Sequence, residues 1–538
     1  MYQRNNMKKL TIYSGIFLTF SCFGQIDQEK VSTTQKFDEV LTYVNKLYVD
    51  DVNDEELTDA AIVALLEKLD PHSTYISKEE VEDANERING NFVGIGIRFQ
   101  ILKDTLMVVS TIPGGPSEKL GILPGDKIVS IEDENVAGVG LKNSQVRERL
   151  LGDKGTKVKV AILRKKSKAP LDFIITRDVI PVNSVDAAYM LSPETGYIKL
   201  NSFSRSSHEE VTQSIQKLKA EGMKNLIFDL QGNGGGLLYG AKYIADEFLS
   251  DDKLIVYSEG RSQPRQDLNA GKKGLWEDGR LILLTDEYSA SASEILSGAI
   301  QDWDRGLIVG RRTYGKGLVQ RPIDLTDGSQ IRLTIARYYT PSGRFIQKSY
   351  EDLDSYRNDL VDRYKNGEFV HADSIHLIDS MKFETLINKR TVYGGGGIMP
   401  DFFVPLDTTE ITDLYSSLIR EGHLNNFSLS YVDKNRGVLA EKYPDFKSFK
   451  DNFQVDKAFL DEFLDFVKNE DAELEIDKDQ LKTSENLLEL RLKAKIAQDI
   501  WGYEEFFQIY NETNEILQKA LKVIESDEYK KSGIASVN

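Results

Sequence analysis

Residues 281–320, LILLTDEYSASASEILSGAIQDWDRGLIVGRRTYGKGLVQ, constrain the fold more than any other stretch of the chain. The run 281–284 is wholly aliphatic, the pattern of a strand buried on both faces. A loop, a helix beginning near Ser291 and a second apolar run at 306–310 follow. Upstream, NLIFDL (225–230) is nearly as apolar and leads through QGNGGGLL (231–238) into another helical pattern. Apolar strands alternating with helices imply a largely parallel sheet covered on both sides, so residues 181–405 are expected to form an α/β core.

The same stretch carries the chemistry. Ser291 opens a helix, and Lys316 sits between Gly315 and Gly317 just past the next strand. A serine hydroxyl needs a base, and lysine is one only when neutral. Holding an amine of ordinary pKa near ~10.4 neutral at pH 7 costs about 4 kcal/mol, normally supplied by burial. Leu318 and Val319 offer apolar surroundings, so the reading is a Ser–Lys hydrolase. Ser289, Ser291 and Ser293 alternate, and at a helix start one of them caps while only one can face the lysine. The residues by themselves leave that choice open. The glycine-rich turn 231–236 lacks the order of a phosphate loop. Its backbone N–H groups, pointing into the strand–helix turn, suit an oxyanion hole better. Gln320 stands four residues after Lys316 and would share a face with it if that segment were helical.

Ahead of the core, residues 25–90 read as helical, with Phe37, Val40, Leu41, Val44 and Leu47 at three- and four-residue spacing. A second helix opens after Asn53, and LDPHSTYIS (69–77) is a turn in which Pro71 ends it; His72 there reads as structural. Residues 91–180 change to short alternating strands. Within them GPSEKLGILPGDKIVSI resembles a bacterial PDZ domain, a small β-barrel with two helices. By that resemblance the loop Gly94, Ile95, Gly96, Ile97 would take a peptide's terminal carboxylate on its N–H groups, the peptide adding as a strand. The polar stretch 348–389, with His371 and His376, reads as a solvated insertion rather than a metal site. Residues 406–538 read as a helical, charged region with no assigned role.

A formal charge of −18 with no basic run argues against a nucleic-acid partner. Arg4, Lys8 and Lys9 followed by an apolar run to about Phe23 have the layout of a signal peptide, assigned to 1–24. Cleavage near Gly24–Gln25 is expected, the alternatives being a retained anchor or lipidation of Cys22, the sole cysteine. The mature chain would therefore be exported and periplasmic, without a disulfide.

The PDZ-like segment, FDLQGNGGGLL and SASASEILSGAIQD…YGKGLVQ occur in one order. LDPHSTYIS, ARYYTPSGR and GGGGIMPD accompany them, and together they resemble the carboxy-terminal processing peptidases, or tail-specific proteases. The resemblance spans roughly 37–405. It implies a crotonase-like α/β protease core with an inserted PDZ domain and helical N- and C-terminal regions. The implied activity is that of a serine endopeptidase without metal or cofactor. Its partners would be proteins with apolar C-termini, an adaptor or other PDZ ligand, and in a homodimer a second copy. Carried over by motif, Ser291 is the nucleophile, Lys316 the general base and Gln320 its orienting partner. Gly232 and Ala292 N–H groups would form the oxyanion hole. Two departures stand out. Gln231 and Gly234 occupy places where relatives often carry Arg or Asn-Pro, and Tyr288 stands where Gly is common. Two competing readings are an inactive peptide-binding scaffold and a thioester-processing crotonase relative.

Overall fold

The computed structural model describes residues 24–165, 167–271, 273–375, 379–532 and 534. Residues 1–23 of the expected leader, including Cys22, and His376 fall outside them. The chain divides into two compact units, residues 1–69 and 70–538. The first shows two helices, Gly24–Leu47 and Asp54–Glu67. The second of these is capped by Asn53, whose side chain accepts the Glu55 and Glu56 N–H groups, with three acids in its first turn to match the helix dipole. Phe37, Val40, Leu47, Leu57 and Leu65 on these helices are exposed.

In the second unit a six-stranded sheet runs in the order Val185–Met190, Thr195–Leu200, Asn225–Asp229, Arg280–Thr285, Leu307–Gly310 and Phe402–Phe403. Only the first pair is antiparallel. The aliphatic strands expected from the sequence thus lie side by side at its centre. Because strand side chains alternate, both faces need cover. Helices Ser207–Ala220, Leu238–Asp246 and Ala292–Asp302 bury one face around Phe228, Leu283 and Leu296. On the other face Ile227, Ile282 and Val309 meet Ile516, Leu517, Ala520 and Val523 of the helix Glu515–Ile524. The region 406–538 therefore splits. Helices between 413 and 510 enclose a core of their own around Phe427, Phe449 and Phe463, while the helix Glu515–Ile524 completes the cover of the six-stranded sheet.

A second sheet orders Thr74–Ile76, Gln330–Tyr339, Leu254–Gly260 and Gln263–Asn269, with Leu318–Asp324 also paired to Gln330–Tyr339. Thr74–Ile76 lies in the segment read as helical. It is too short to show a period, yet its Thr-Tyr-Ile composition favours a strand, and it pairs antiparallel with 330–332. The insertion 348–389 is not simply solvated. Its helix Leu353–Lys365 buries Tyr356 and Arg363, and Arg363 and Arg312 share the carboxylate of Glu368.

Residues 97–176 form a separate sheet of five main strands, Ile97–Leu102, Thr105–Thr111, Lys127–Ile131, Lys157–Leu163 and Leu171–Thr176. With helices Pro116–Lys119 and Asn143–Leu150 they surround a core of Val108, Ile128, Val146 and Val160. Asn91–Gly94 and Asp178–Pro181 pair antiparallel, so this module hangs on a two-stranded stalk.

Candidate active site

The glycine turn 231–236 and the loop 286–291 leave adjacent parallel strands at the same end of the sheet, where such sheets place their ligands. They are tied closely. Ala290 N–H donates to the Asn233 C=O at 3.0 Å, and the Ser293 hydroxyl donates to that same oxygen at 2.8 Å. The Ser289 hydroxyl donates to the Leu230 C=O at 2.8 Å. Two of the three alternating serines thus spend their hydroxyls on the glycine turn. Ser291 does not, and it holds φ +56, ψ −112, a conformation a non-glycine residue adopts only under strain. Gly235 backs directly onto it: a Cβ there would lie 2.7–2.9 Å from Ala290 O, Ser291 Cβ and Ala292 N.

Glu294 joins the serine to the lysine. Its fully buried carboxylate accepts Ser291 N–H at 2.8 Å and Lys316 N–H at 2.9 Å on one oxygen. The other oxygen accepts Gly315 N–H at 2.7 Å and the Thr313 hydroxyl at 2.6 Å. Burial raises its pKa, while these donors oppose the rise. The buried Tyr338 hydroxyl adds a second tie, lying 2.6 Å from the Lys316 C=O and 3.1 Å from that of Ser291.

Burial pulls the Lys316 amine below its ordinary value. Glu294 and Asp70 pull it up and the Arg332 charge pushes it down. Its Nζ donates to Gln320 Oε1 at 3.1 Å. The pair meets without the helix anticipated for it. Gln320 lies on the strand Leu318–Asp324, where a register shift between Val319 and Gln320 and the glycine-flanked turn before it shorten the span. Four residues of regular strand would separate the two by about 13 Å.

Gln320 Nε2 donates in turn to the backbone C=O of His72. His72 is thus part of this neighbourhood, with its Nε2 2.7 Å from the Tyr356 hydroxyl. Burial first, then the Lys316 charge, holds the ring down to about 4, so it is neutral at pH 7. Asp70 fixes the turn by accepting the N–H groups of His72 and Ser73 and the Ser73 hydroxyl.

The N–H of Gly232, expected to serve an oxyanion hole, is engaged elsewhere. Gly232 N–H points at the Asp286 carboxylate, 2.9 Å from each oxygen, and is already committed. Asp286 begins the loop 286–291 and also accepts the Tyr288 and Ser289 N–H groups, so Gly232 serves to lock two loops together. Burial raises the Asp286 pKa, with the Gly232 N–H opposing. Among the described residues the N–H groups of Gly234 and Ala292 make no hydrogen bond. Lys199 lies beside Gln231. It pairs with Asp229 at 3.2 Å and also donates to the Gln231 C=O.

Sequence reading missed Glu294, Asp286, Tyr338, Tyr356 and the part played by His72. A signal for Glu294 was present, because Ser291-Ala-Ser-Glu294 has the spacing of a helix capping box. In the β-module Ile95 is buried in the core and Gly96 has φ +74. Among the described residues neither of their N–H groups makes a hydrogen bond. Gly94 ends the stalk strand and Ile97 begins the next. His371 is exposed. No helix among the described residues is long and apolar enough to cross a membrane.

Residues 194–354 match peptidase family S41, residues 93–174 match a PDZ domain, and residues 414–502 match a family of unknown function, DUF8443. A carboxy-terminal-processing protease of Bartonella bacilliformis is 34% identical over 354 residues, covering 63% of this chain and 80% of that protein. The chain belongs to peptidase family S41, among the carboxy-terminal processing proteases. A second S41 relative, the carboxy-terminal processing protease CtpA of Bacillus subtilis, is 33% identical over 60% of this chain and 69% of its own length. Among solved structures, the photosystem II D1 C-terminal processing protease is 28% identical over 58% of this chain and 89% of that one, with a TM-score of 0.32. This S41 member is a protease with a PDZ domain, a module suited to peptide ligands.

Proposed function

We propose that this protease cleaves peptide bonds with Ser291 as nucleophile and neutral Lys316 as general base, Gln320 holding the amine in line. The observation that carries the reading is a buried lysine of depressed pKa whose backbone shares one carboxylate, Glu294, with the backbone of a strained serine. Lys316 takes the Ser291 proton as Oγ attacks the carbonyl carbon. The Ala292 N–H, together with that of Gly234, receives the oxyanion. The Lys316 ammonium then protonates the leaving amine, and water, deprotonated by the same amine, releases the acyl group.

The PDZ module would capture apolar C-termini of exported proteins, with Ile95 and Gly96 N–H groups on the carboxylate. Export rests on the basic and apolar leader in the sequence, and the exposed apolar side chains of the N-terminal helices suit a homodimer. The test is cleavage of an unfolded protein with an apolar C-terminus by the unmodified chain, Ser291→Ala and Lys316→Ala. Both variants should lose cleavage while retaining the circular dichroism spectrum. Cleavage surviving in Ser291→Ala would overturn the assignment.

A further inference from the structure

The PDZ sheet ends in the strand Ile97–Leu102, which pairs with Thr105–Thr111 and leaves its other edge open. Side chains along it alternate. Ile97, Phe99 and Ile101 pack on the PDZ core. Arg98, Gln100 and Leu102 instead meet the helical region of unassigned role. Arg98 donates to the Gln498 C=O at 3.3 Å and lies 3.8 Å from Asp499. Gln100 Nε2 donates to Asn426 Oδ1 at 2.9 Å. Leu102 joins Met107, Val109 and Leu429 in a small apolar cluster. The helical region is thus anchored to the face behind the open edge.

It also reaches round that edge. Between the strand and the helix Asn143–Leu150 lies a groove of about 790 Å3, walled by Phe99 and Ile101 on one side, by Lys142 and Arg147 on the other, and by Asn425. Among the described residues no acidic side chain lines it, and the wall residue Arg147 is itself paired with Asp83 and Glu86. Asn425 is exposed and, among the described residues, its amide makes no hydrogen bond, whereas its neighbour Asn426 is engaged with Gln100.

We propose that residues 414–502 complete the peptide groove of the PDZ domain, with Asn425 reading an upstream residue of a bound C-terminal tail. This rests on the PDZ reading above. A peptide adding antiparallel to the open edge, with its carboxylate at Ile95 and Gly96, advances about 3.3 Å per residue, so Asn425 faces roughly the third to fifth residues from its end. The ligand is therefore an extended tail of at least about five residues. Its upstream position carries a polar or acidic side chain, matched by the Asn425 amide and by Lys142 in the groove wall.

The experiment uses the full chain carrying Ser291→Ala, to prevent turnover, and fluorescence anisotropy of two labelled peptides. One is a tripeptide with an apolar C-terminus. The other is a heptapeptide with the same last three residues and a glutamate fourth from the end. Asn425→Trp should weaken the heptapeptide by about tenfold while leaving the tripeptide within about twofold. Asn425→Ala, which cannot obstruct the groove, should weaken the heptapeptide alone by a smaller factor. Adding the heptapeptide should also slow amide exchange in residues 423–428. Equal affinities across all variants, or equal losses for both peptides, would overturn the proposal while leaving the PDZ reading intact. Binding of neither peptide by the unmodified groove would overturn both.

Discussion

Glu294→Gln is the most informative single change. The carboxylate accepts four hydrogen bonds, Ser291 N–H and Lys316 N–H on one oxygen, Gly315 N–H and the Thr313 hydroxyl on the other. An amide of the same shape keeps one oxygen and turns an NH2 group toward the second pair of donors. With the NH2 toward Gly315 and Thr313, the Thr313 hydroxyl can turn to accept and one buried donor is left unsatisfied; facing the other way, two are, a cost of about 1–6 kcal/mol. That is a large part of the stability of an ordinary domain. If the strain is instead relieved by a shift of the lysine loop of about 1 Å, the loss appears in rate, on the order of 10²-fold. A second effect separates positioning from simple damage. Glu294 raises the Lys316 pKa, so removing its charge lets the amine fall further. The acid limb of the kcat/KM profile should move to lower pH even as the maximum drops. Thermal melts and pH–rate profiles read both effects. A Glu294→Gln protein with unchanged midpoint, rate and acid limb would refute the reasoning.

Gly235→Ala should abolish cleavage, because its Cβ would sit 2.7–2.9 Å from Ala290, Ser291 and Ala292 atoms at a φ of +102 that alanine resists. Gln320→Leu keeps the volume but removes the acceptor of the Lys316 amine, and a fall in kcat of about 10–100-fold with little change in KM is expected. Lys316→Met should stabilise the fold at pH 7, because burial disfavours the charged amine. The folded amine titrates below its unfolded value, so between the two the unfolded chain binds the extra proton and stability rises with pH. The gain from methionine should shrink toward pH ~10, and a constant difference between pH 7 and 10 would contradict it.

Much of this architecture could be read from residues alone, because a strand buried on both faces leaves an unmistakable aliphatic run, as at 225–230 and 281–285. Ser291 was chosen by resemblance rather than by pattern, since only the glycine turn decides which of three alternating serines is left free. The Lys316–Gln320 pair was found, though through the wrong geometry. A four-residue spacing looks the same in a helix and in a bulged strand, and the register shift at Val319 is set by pairing with 334–337. That the Gly232 N–H is engaged was not legible, because its partner, Asp286, lies 54 positions away. The helix Glu515–Ile524 is amphipathic in the sequence, but nothing local says that its apolar side belongs on the protease sheet.

The central claim is that neutral Lys316 activates Ser291. It is tested most directly by the rate at which a fluorophosphonate modifies the protein between pH 5 and 9, located by peptide mass. The account predicts modification at Ser291 alone, a rate rising through the depressed pKa of Lys316, and a low, pH-independent rate in Lys316→Met. A flat profile in the unmodified protein, or equal rates in Lys316→Met, would contradict it.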